Sequence, residues 1–119
     1  MDVVIADDSK AMRMVLLRAL RQAGFEIEAR EAEDGAVALA LVQEKLPDLV
    51  LSDWNMPVMT GIEFLKELRD RGIDVPFGFV TSETTGRMKE EALLAGASFV
   101  LGKPFTPDHI RDVLEGFIS

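Results

Sequence analysis

The chain has 119 residues, a formal net charge of −8 at pH 7 and no cysteine, and 48% of its residues are hydrophobic. The length predicts one domain spanning residues 1–119, and the charge argues against nucleic-acid binding, which needs clustered Lys and Arg. The lack of cysteine excludes disulfides and thiolate metal sites. No apolar run approaches the roughly 20 residues that cross a bilayer, and no secretory signal pattern is present, so we expect a soluble, cytoplasmic protein without membrane insertion.

Five short apolar runs bounded by turn residues alternate with segments of helical period, which is typical of a parallel sheet with crossover helices. The run at residues 25–29 alternates apolar and acidic side chains, so we expect an edge strand with one wet face. The run at 49–52 starts with three apolar residues, which favours a central strand. The other predicted strands are residues 3–6, 77–80 and 99–102.

Helices are predicted between these strands from N-capping residues and glycine stops. The N-caps are Ser9, Thr60 and Thr106, and the glycines are Gly24, Gly72 and Gly96. Thr60 also forms a capping box with Glu63, and Pro107 suits the first position of the last helix. The fourth helix is expected over residues 84–95.

The second helix is the most ambiguous element. Residues 36–42 are apolar throughout and could form a buried strand by period alone. Their alanines, the Asp34–Gly35 start and Pro47 beyond the end favour a helix.

Polar residues follow the predicted strands, where each strand ends. They are Asp7 and Asp8 after the first strand, Asp53 after the third, Thr81 after the fourth and Lys103 after the fifth. Right-handed crossovers make all strands point the same way, so these residues should meet at one edge of the sheet. In doubly wound sheets, ligands bind at that edge where the strand order reverses.

Three carboxylates in one crevice predict a bound cation. At about 4 Å each pair repels by roughly 4 kcal/mol at an effective dielectric of 20, so either the pKa values rise or a cation lies among them. An oxygen ligand set without Cys favours Mg²⁺ or Mn²⁺ over zinc. A carboxylate beside such an ion can attack phosphorus, with Lys103 as the neutralising cation and Thr81 as a hydroxyl donor. A cis peptide before Pro104 is one way to fix the chain next to Lys103.

Each of these residues also has a simpler interpretation. Asp7 and Asp8 alone are more often a helix-capping pair than a metal site, and Asp53 alone could be a solvated strand end. Thr81 could cap the following helix. Lys103 is explained least well by a purely structural role, since it precedes a proline in an apolar run.

Together these residues resemble the receiver domain of two-component response regulators, and the match is most similar to the single-domain chemotaxis regulators of the CheY type. The landmarks are D-D at 7–8, A-E-D-G at 32–35, S-D-W-N-M-P at 52–57, Gly61, T-S-E at 81–83, A-G-A at 95–97 and K-P-F at 103–105. The resemblance implies a flavodoxin-like α/β fold: a doubly wound parallel sheet of five strands in the order 2-1-3-4-5, with five helices.

The resemblance also implies roles for the crevice residues. Asp53 would accept a phosphoryl group from a histidine kinase, a histidine phosphotransfer protein or a small donor such as acetyl phosphate. Asp8 would bind Mg²⁺ directly, Asp7 largely through water, and Asn55 through its backbone carbonyl, with Asp53 completing the protein ligands. Lys103 would contact the phosphoryl group.

Four residues are implied in the response to phosphorylation. Thr81 would hydrogen-bond the phosphoryl group, and Phe99, where the family usually has Tyr, would follow by turning inward. Asn55 and Glu83 would modulate the lifetime of the phosphoryl group. The chain would then act as a phosphoacceptor switch rather than as an enzyme.

The family's output surface would bind a downstream protein. It consists of the fourth helix, fifth strand and fifth helix, here residues 86–95, 98–101 and 106–117. The start at Met1 and the single domain favour a stand-alone protein.

The runner-up function is a phosphatase of the haloacid dehalogenase type, but those enzymes place an acid two residues after the nucleophile, where this chain has Asn55. A degenerate receiver that only docks is disfavoured because the required side chains are present.

Overall fold

The computed structural model describes residues 1–82 and 85–116, in which five strands alternate with five helices. The strands are β1 (Asp2–Ala6), β2 (Glu28–Ala32), β3 (Leu49–Ser52), β4 (Phe77–Thr81) and β5 (Phe99–Gly102). The helices are α1 (Lys10–Gln22), α2 (Gly35–Glu44), α3 (Gly61–Asp70), α4 (Gly86–Leu94) and α5 (Pro107–Glu115). No helix in these two ranges is long and apolar enough to cross a membrane.

The strands form one parallel sheet in the order β2-β1-β3-β4-β5, which confirms the predicted fold class. The order reverses at β1, because the chain first moves outward to β2 and then crosses back to β3. The residues after β1 and β3 therefore lie side by side at the carboxyl edge.

Two apolar layers cover the two faces of the sheet. Alternate residues of each strand point to opposite faces, so each strand contributes to both layers. Phe77 and Phe79 of β4 pack with α2, α3 and α4, whereas Val80 of the same strand packs with α1 and α5. β1 and β3 lie in the middle of the sheet and are buried along almost their whole length.

The predicted helix boundaries are largely confirmed. The side chains of Ser9, Thr60 and Thr106 accept hydrogen bonds from the first turns of α1, α3 and α5, and the capping box of Thr60 with Glu63 is present. Residues 35–44 form a helix, as their alanines and flanking residues indicated. Gly24, Gly72 and Gly96 follow helices at positive φ. The fourth helix begins at Gly86 with Thr85 as N-cap, two residues later than predicted, while Thr84 lies outside the described residues.

The second strand is displaced from its predicted position. Residues 25–29 were expected to form it, but β2 spans Glu28–Ala32. Phe25 is held at the end of α1, where its N–H donates to Leu20, and parallel pairing begins only where Asp2 lies opposite Glu28. The edge position was correct, because β2 ends the strand order.

The loop from β3 to α3 contains the one non-glycine residue with positive φ in the described chain. Val58 has a φ of 66°, and its side chain is 84% exposed. A β-branched residue is strained in this conformation, and the exposed side chain buries little surface to offset the strain.

The Lys103–Pro104 peptide is cis, as considered from the sequence.

We expect Val58→Asn to increase the free energy of unfolding by about 1 kcal/mol, because Asn tolerates the left-handed conformation better. Urea denaturation measures the change. The same replacement at the exposed helical Val15 should bring no gain. An unchanged or lower stability of Val58→Asn would show that the loop is not strained at this residue.

Candidate functional site at the carboxyl edge of the sheet

Three carboxylates converge at the carboxyl edge, as predicted from their positions after the strands. Asp7 and Asp8 follow β1, Asp53 follows β3, and one oxygen of each lies within 4.8 Å of the others. Asp7 is buried, Asp53 is partly buried and Asp8 is exposed. The crevice is therefore closed to solvent at Asp7 and open to solvent at Asp8.

The peptide backbone of Asp7 is held from both sides. Its N–H donates to the carbonyl of Ala32 at 3.0 Å, which extends the β1–β2 pairing by one residue. Its carbonyl accepts from Nη1 of Arg13 at 2.6 Å. The carboxylate accepts from the N–H of Ser9 at 2.9 Å. Arg13 was not identified from the sequence, where nothing separates it from the other arginines of α1.

Asp53 is held by β1, by the residue that follows it and by α3. Its N–H donates to the carbonyl of Ala6 at 2.8 Å, and its Oδ1 accepts from the N–H of Trp54 at 2.8 Å. A Cβ at Gly61 would collide with the carbonyl oxygen of Asp53. α3 therefore packs directly against the backbone of Asp53, and only glycine allows this approach.

A second glycine supports the same loop from α2. The N–H of Gly35 donates to the carbonyl of Met59 at 3.1 Å, and a Cβ at Gly35 would collide with that oxygen. The A-E-D-G motif thus lies against the β3–α3 loop that follows Asp53.

Lys103, which follows β5, is the cation of the crevice. Its Nζ lies 3.4 Å from Oδ2 of Asp7 and 3.8 Å from Oδ1 of Asp53. Its side chain is 18% exposed, and its backbone N–H donates to the carbonyl of Thr81 at 2.8 Å. The predicted convergence of Lys103 with Asp7 and Asp53 is confirmed.

The crevice is unfavourable for the negative charge of Asp53. Burial raises the pKa of its carboxyl, and the charges of Asp7 and Asp8 raise it further. Lys103 and the N–H of Trp54 lower the pKa and offset part of this effect. Three carboxylates against one ammonium leave a net negative charge, which a divalent cation would balance.

The donor set fits a hard divalent ion. One oxygen of each of the three carboxylates lies within 4.8 Å of the others, which brings them near enough to share one ion. His109 lies in the first turn of α5, away from this cluster. The ligands are therefore all oxygens, the set that Mg²⁺ and Mn²⁺ prefer.

The structure corrects the expected arrangement of Thr81 and Phe99. Thr81 is buried at the end of β4, and by alternation it faces the same side as Phe77 and Phe79. Phe99 packs on the opposite face with α1 and α5, where its ring covers Gly78. Phe99 is already buried and does not share a face with Thr81, so the geometry argues against the predicted inward turn. On β5, Val100 and Gly102 lie on the face of Thr81, and Val100 is the one with a side chain.

The two predicted modulating residues are only partly described. Asn55 is exposed in the β3–α3 loop, two residues after Asp53. Glu83 lies outside the described residues. Their effect on the lifetime of a phosphoryl group stays a prediction.

Comparisons with known proteins match the chain along nearly its whole length. The family model for the response regulator receiver domain matches residues 3–115. The chain is 37% identical to the chemotaxis protein CheY of Pseudomonas aeruginosa, covering 97% of this chain and 94% of that protein. It is 38% identical to CheY of Bacillus subtilis, covering 94% and 92%. The structure of Vibrio cholerae CheY4 matches with a TM-score of 0.85 at 38% identity, covering 98% of both chains.

We expect Gly61→Ala to lower the free energy of unfolding by roughly 1–3 kcal/mol, because the added methyl group overpacks the contact with Asp53. Urea denaturation is the measurement. Gly86→Ala is the matched control, since nothing lies within 4 Å of a Cβ there. This control should be neutral or stabilising. Equal effects at both positions would contradict the close packing at Gly61.

We expect Asp53→Asn to stabilise the protein at neutral pH in magnesium-free buffer. Folding raises the pKa of this carboxyl above 3.8, so the ionised group opposes folding, and neutralising it should help. The gain should disappear as the pH falls below the ordinary carboxyl range, where Asp53 is protonated in both states.

The test is the free energy of unfolding across this pH range, with the exposed Asp112→Asn as the control for loss of one charge. If Asp53→Asn were less stable than the wild type at neutral pH, the ionised Asp53 carboxylate would not oppose folding.

Proposed function

Since the chain belongs to the response regulator receiver family of two-component signalling, we propose that Asp53 is its phosphoacceptor and that the crevice is the site of phosphorylation. The observation that carries this proposal is the position of Asp53 between Lys103 and the carboxylates of Asp7 and Asp8. A partly buried carboxylate beside a cation can act as a nucleophile toward phosphorus.

The proposed reaction transfers a phosphoryl group from a phosphohistidine to Asp53. An oxygen of the Asp53 carboxylate attacks phosphorus, an O–P bond forms, and the P–N bond to the histidine breaks. The leaving imidazole takes up a proton from solvent. Lys103 stabilises the charge on the transferred group, because its Nζ already lies 3.8 Å from Oδ1 of Asp53.

Asp7, Asp8 and Asp53, with the backbone carbonyl of Asn55, would hold Mg²⁺, and Mn²⁺ suits the same ligands. When bound, the ion neutralises charge on the phosphoryl oxygens. Thr81, buried at the end of β4, would donate a hydrogen bond to the phosphoryl group. The aspartyl phosphate replaces one negative charge by a larger dianionic group, which shifts the balance between two conformations.

We propose that the chain is a signalling switch rather than an enzyme acting on free substrates. It would catalyse only its own phosphorylation and dephosphorylation. An enzyme of the haloacid dehalogenase type needs an acid two residues after the nucleophile, and Asn55 is a neutral amide. One receiver domain, residues 1–119, would carry this function.

The phosphoryl donor would be a histidine kinase or a histidine phosphotransfer protein. A downstream protein would bind the face formed by α4, β5 and α5, although Phe117 of the predicted surface lies outside the described residues. The named relatives are chemotaxis proteins, which supports a role in chemotaxis and a cytoplasmic location for this chain.

We expect intact mass spectrometry to show one added phosphoryl group after incubation with Mg²⁺ and acetyl phosphate or phosphoramidate. Asp53→Ala should remain unmodified, because it lacks the nucleophile. Asp112→Ala, which removes an exposed carboxylate of α5, should be modified like the wild type.

Labelling that persists in Asp53→Ala would contradict the assignment of the phosphoacceptor. Sustained turnover of many unrelated phosphomonoesters would favour the phosphatase.

A further inference from the structure

Arg13 joins the end of β1, the end of β2 and the first turns of α1. Its Nη1 donates to the carbonyl of Asp7 at 2.6 Å, and its Nε donates to Oε1 of Glu31 at 3.0 Å. Its side chain is only 13% exposed although it is charged. One planar guanidinium thus binds two acceptors on neighbouring strands.

The carbonyl that Arg13 binds belongs to the peptide between Asp7 and Asp8. The N–H of Asp7 donates to Ala32, and the N–H of Ser9 donates to the Asp7 carboxylate, so Arg13 makes one of three contacts that fix this stretch of chain, and the one to its carbonyl. Both carboxylates project from residues adjoining this peptide. A rotation of the peptide would move both of them relative to Asp53.

We infer that Arg13 is a positioning residue for the metal site, which orients Asp7 and Asp8 through the Asp7 carbonyl. This inference rests on the proposed function, since it concerns the site for Mg²⁺. The effect is geometric rather than a matter of charge, because loss of the Arg13 cation would by charge alone strengthen the binding of Mg²⁺. Groups that orient metal ligands typically change metal affinity by about 10–100-fold when removed.

Arg30 provides a matched control within the same chain. Its Nε lies 3.1 Å from Oδ1 of Asp2, and its Nη1 and Nη2 donate to the carbonyls of Leu41 and Lys45. It has a similar burial and the same kinds of partner as Arg13. Arg30 is the middle residue of β2, but its guanidinium reaches Asp2 at the amino end of β1, whereas the carboxylates lie at the carboxyl ends of the strands.

The test is isothermal titration with Mg²⁺, below the melting temperature of every variant. Arg13→Ala should bind Mg²⁺ roughly 10-fold more weakly than the wild type, whereas Arg30→Ala should match the wild type. Arg13→Lys should remain weaker than the wild type, because one ammonium cannot bridge Asp7 and Glu31 as the guanidinium does. Asp8→Ala is the reference for loss of a ligand.

A second measurement needs no metal. The carbonyl carbon resonance of Asp7 in magnesium-free protein should shift in Arg13→Ala, which loses the hydrogen bond, and stay in place in Arg30→Ala.

Unchanged affinity in Arg13→Ala, full recovery in Arg13→Lys, or equal losses in Arg13→Ala and Arg30→Ala would each overturn the inference. An unmoved Asp7 carbonyl resonance in Arg13→Ala would do the same. A wild-type protein that binds no Mg²⁺ would reject the metal site of the proposed function, and with it the role of Arg13.

Discussion

Three carboxylates and one ammonium group share the crevice at the carboxyl edge of the sheet, and their charges do not balance. Lys103 contacts Asp7 and Asp53, but a net negative charge remains. Burial raises the pKa of Asp53, the charges of Asp7 and Asp8 raise it further, and the remaining negative charge favours a divalent cation. In the proposed function, Lys103 would stabilise the added phosphoryl group, because its ammonium already lies beside Asp53. The proposed switch depends on this electrostatic constraint.

The surrounding fold keeps the charged groups together against their repulsion. Parallel pairing places the residues after β1 and β3 side by side. Gly61 brings α3 onto the backbone of Asp53, and Gly35 brings α2 onto the loop that follows. Arg13 holds the peptide between Asp7 and Asp8. The site therefore belongs to the scaffold of the sheet and helices, which gives it a defined geometry before any ligand binds.

The fold and the convergence of Asp7, Asp53 and Lys103 could be predicted because they follow from strand direction, which needs no knowledge of side-chain packing. Three features could not. The face of Phe99 depends on the register of β5, and a shift of one residue moves a side chain to the other face. The contact of Arg13 with the Asp7 carbonyl depends on a long side chain reaching backbone, which leaves no periodic signal in the sequence. β2 was displaced because pairing with β1 overrode a local alternation of apolar and acidic residues.

The decisive measurement is a crystal structure with Mg²⁺ and trifluoroberyllate, which mimics a phosphoryl group on a carboxylate. We expect the ion among Asp7, Asp8 and Asp53, and the trifluoroberyllate on Asp53 in contact with Nζ of Lys103. An ion bound elsewhere, or trifluoroberyllate bound away from Asp53, would contradict the proposed phosphorylation site.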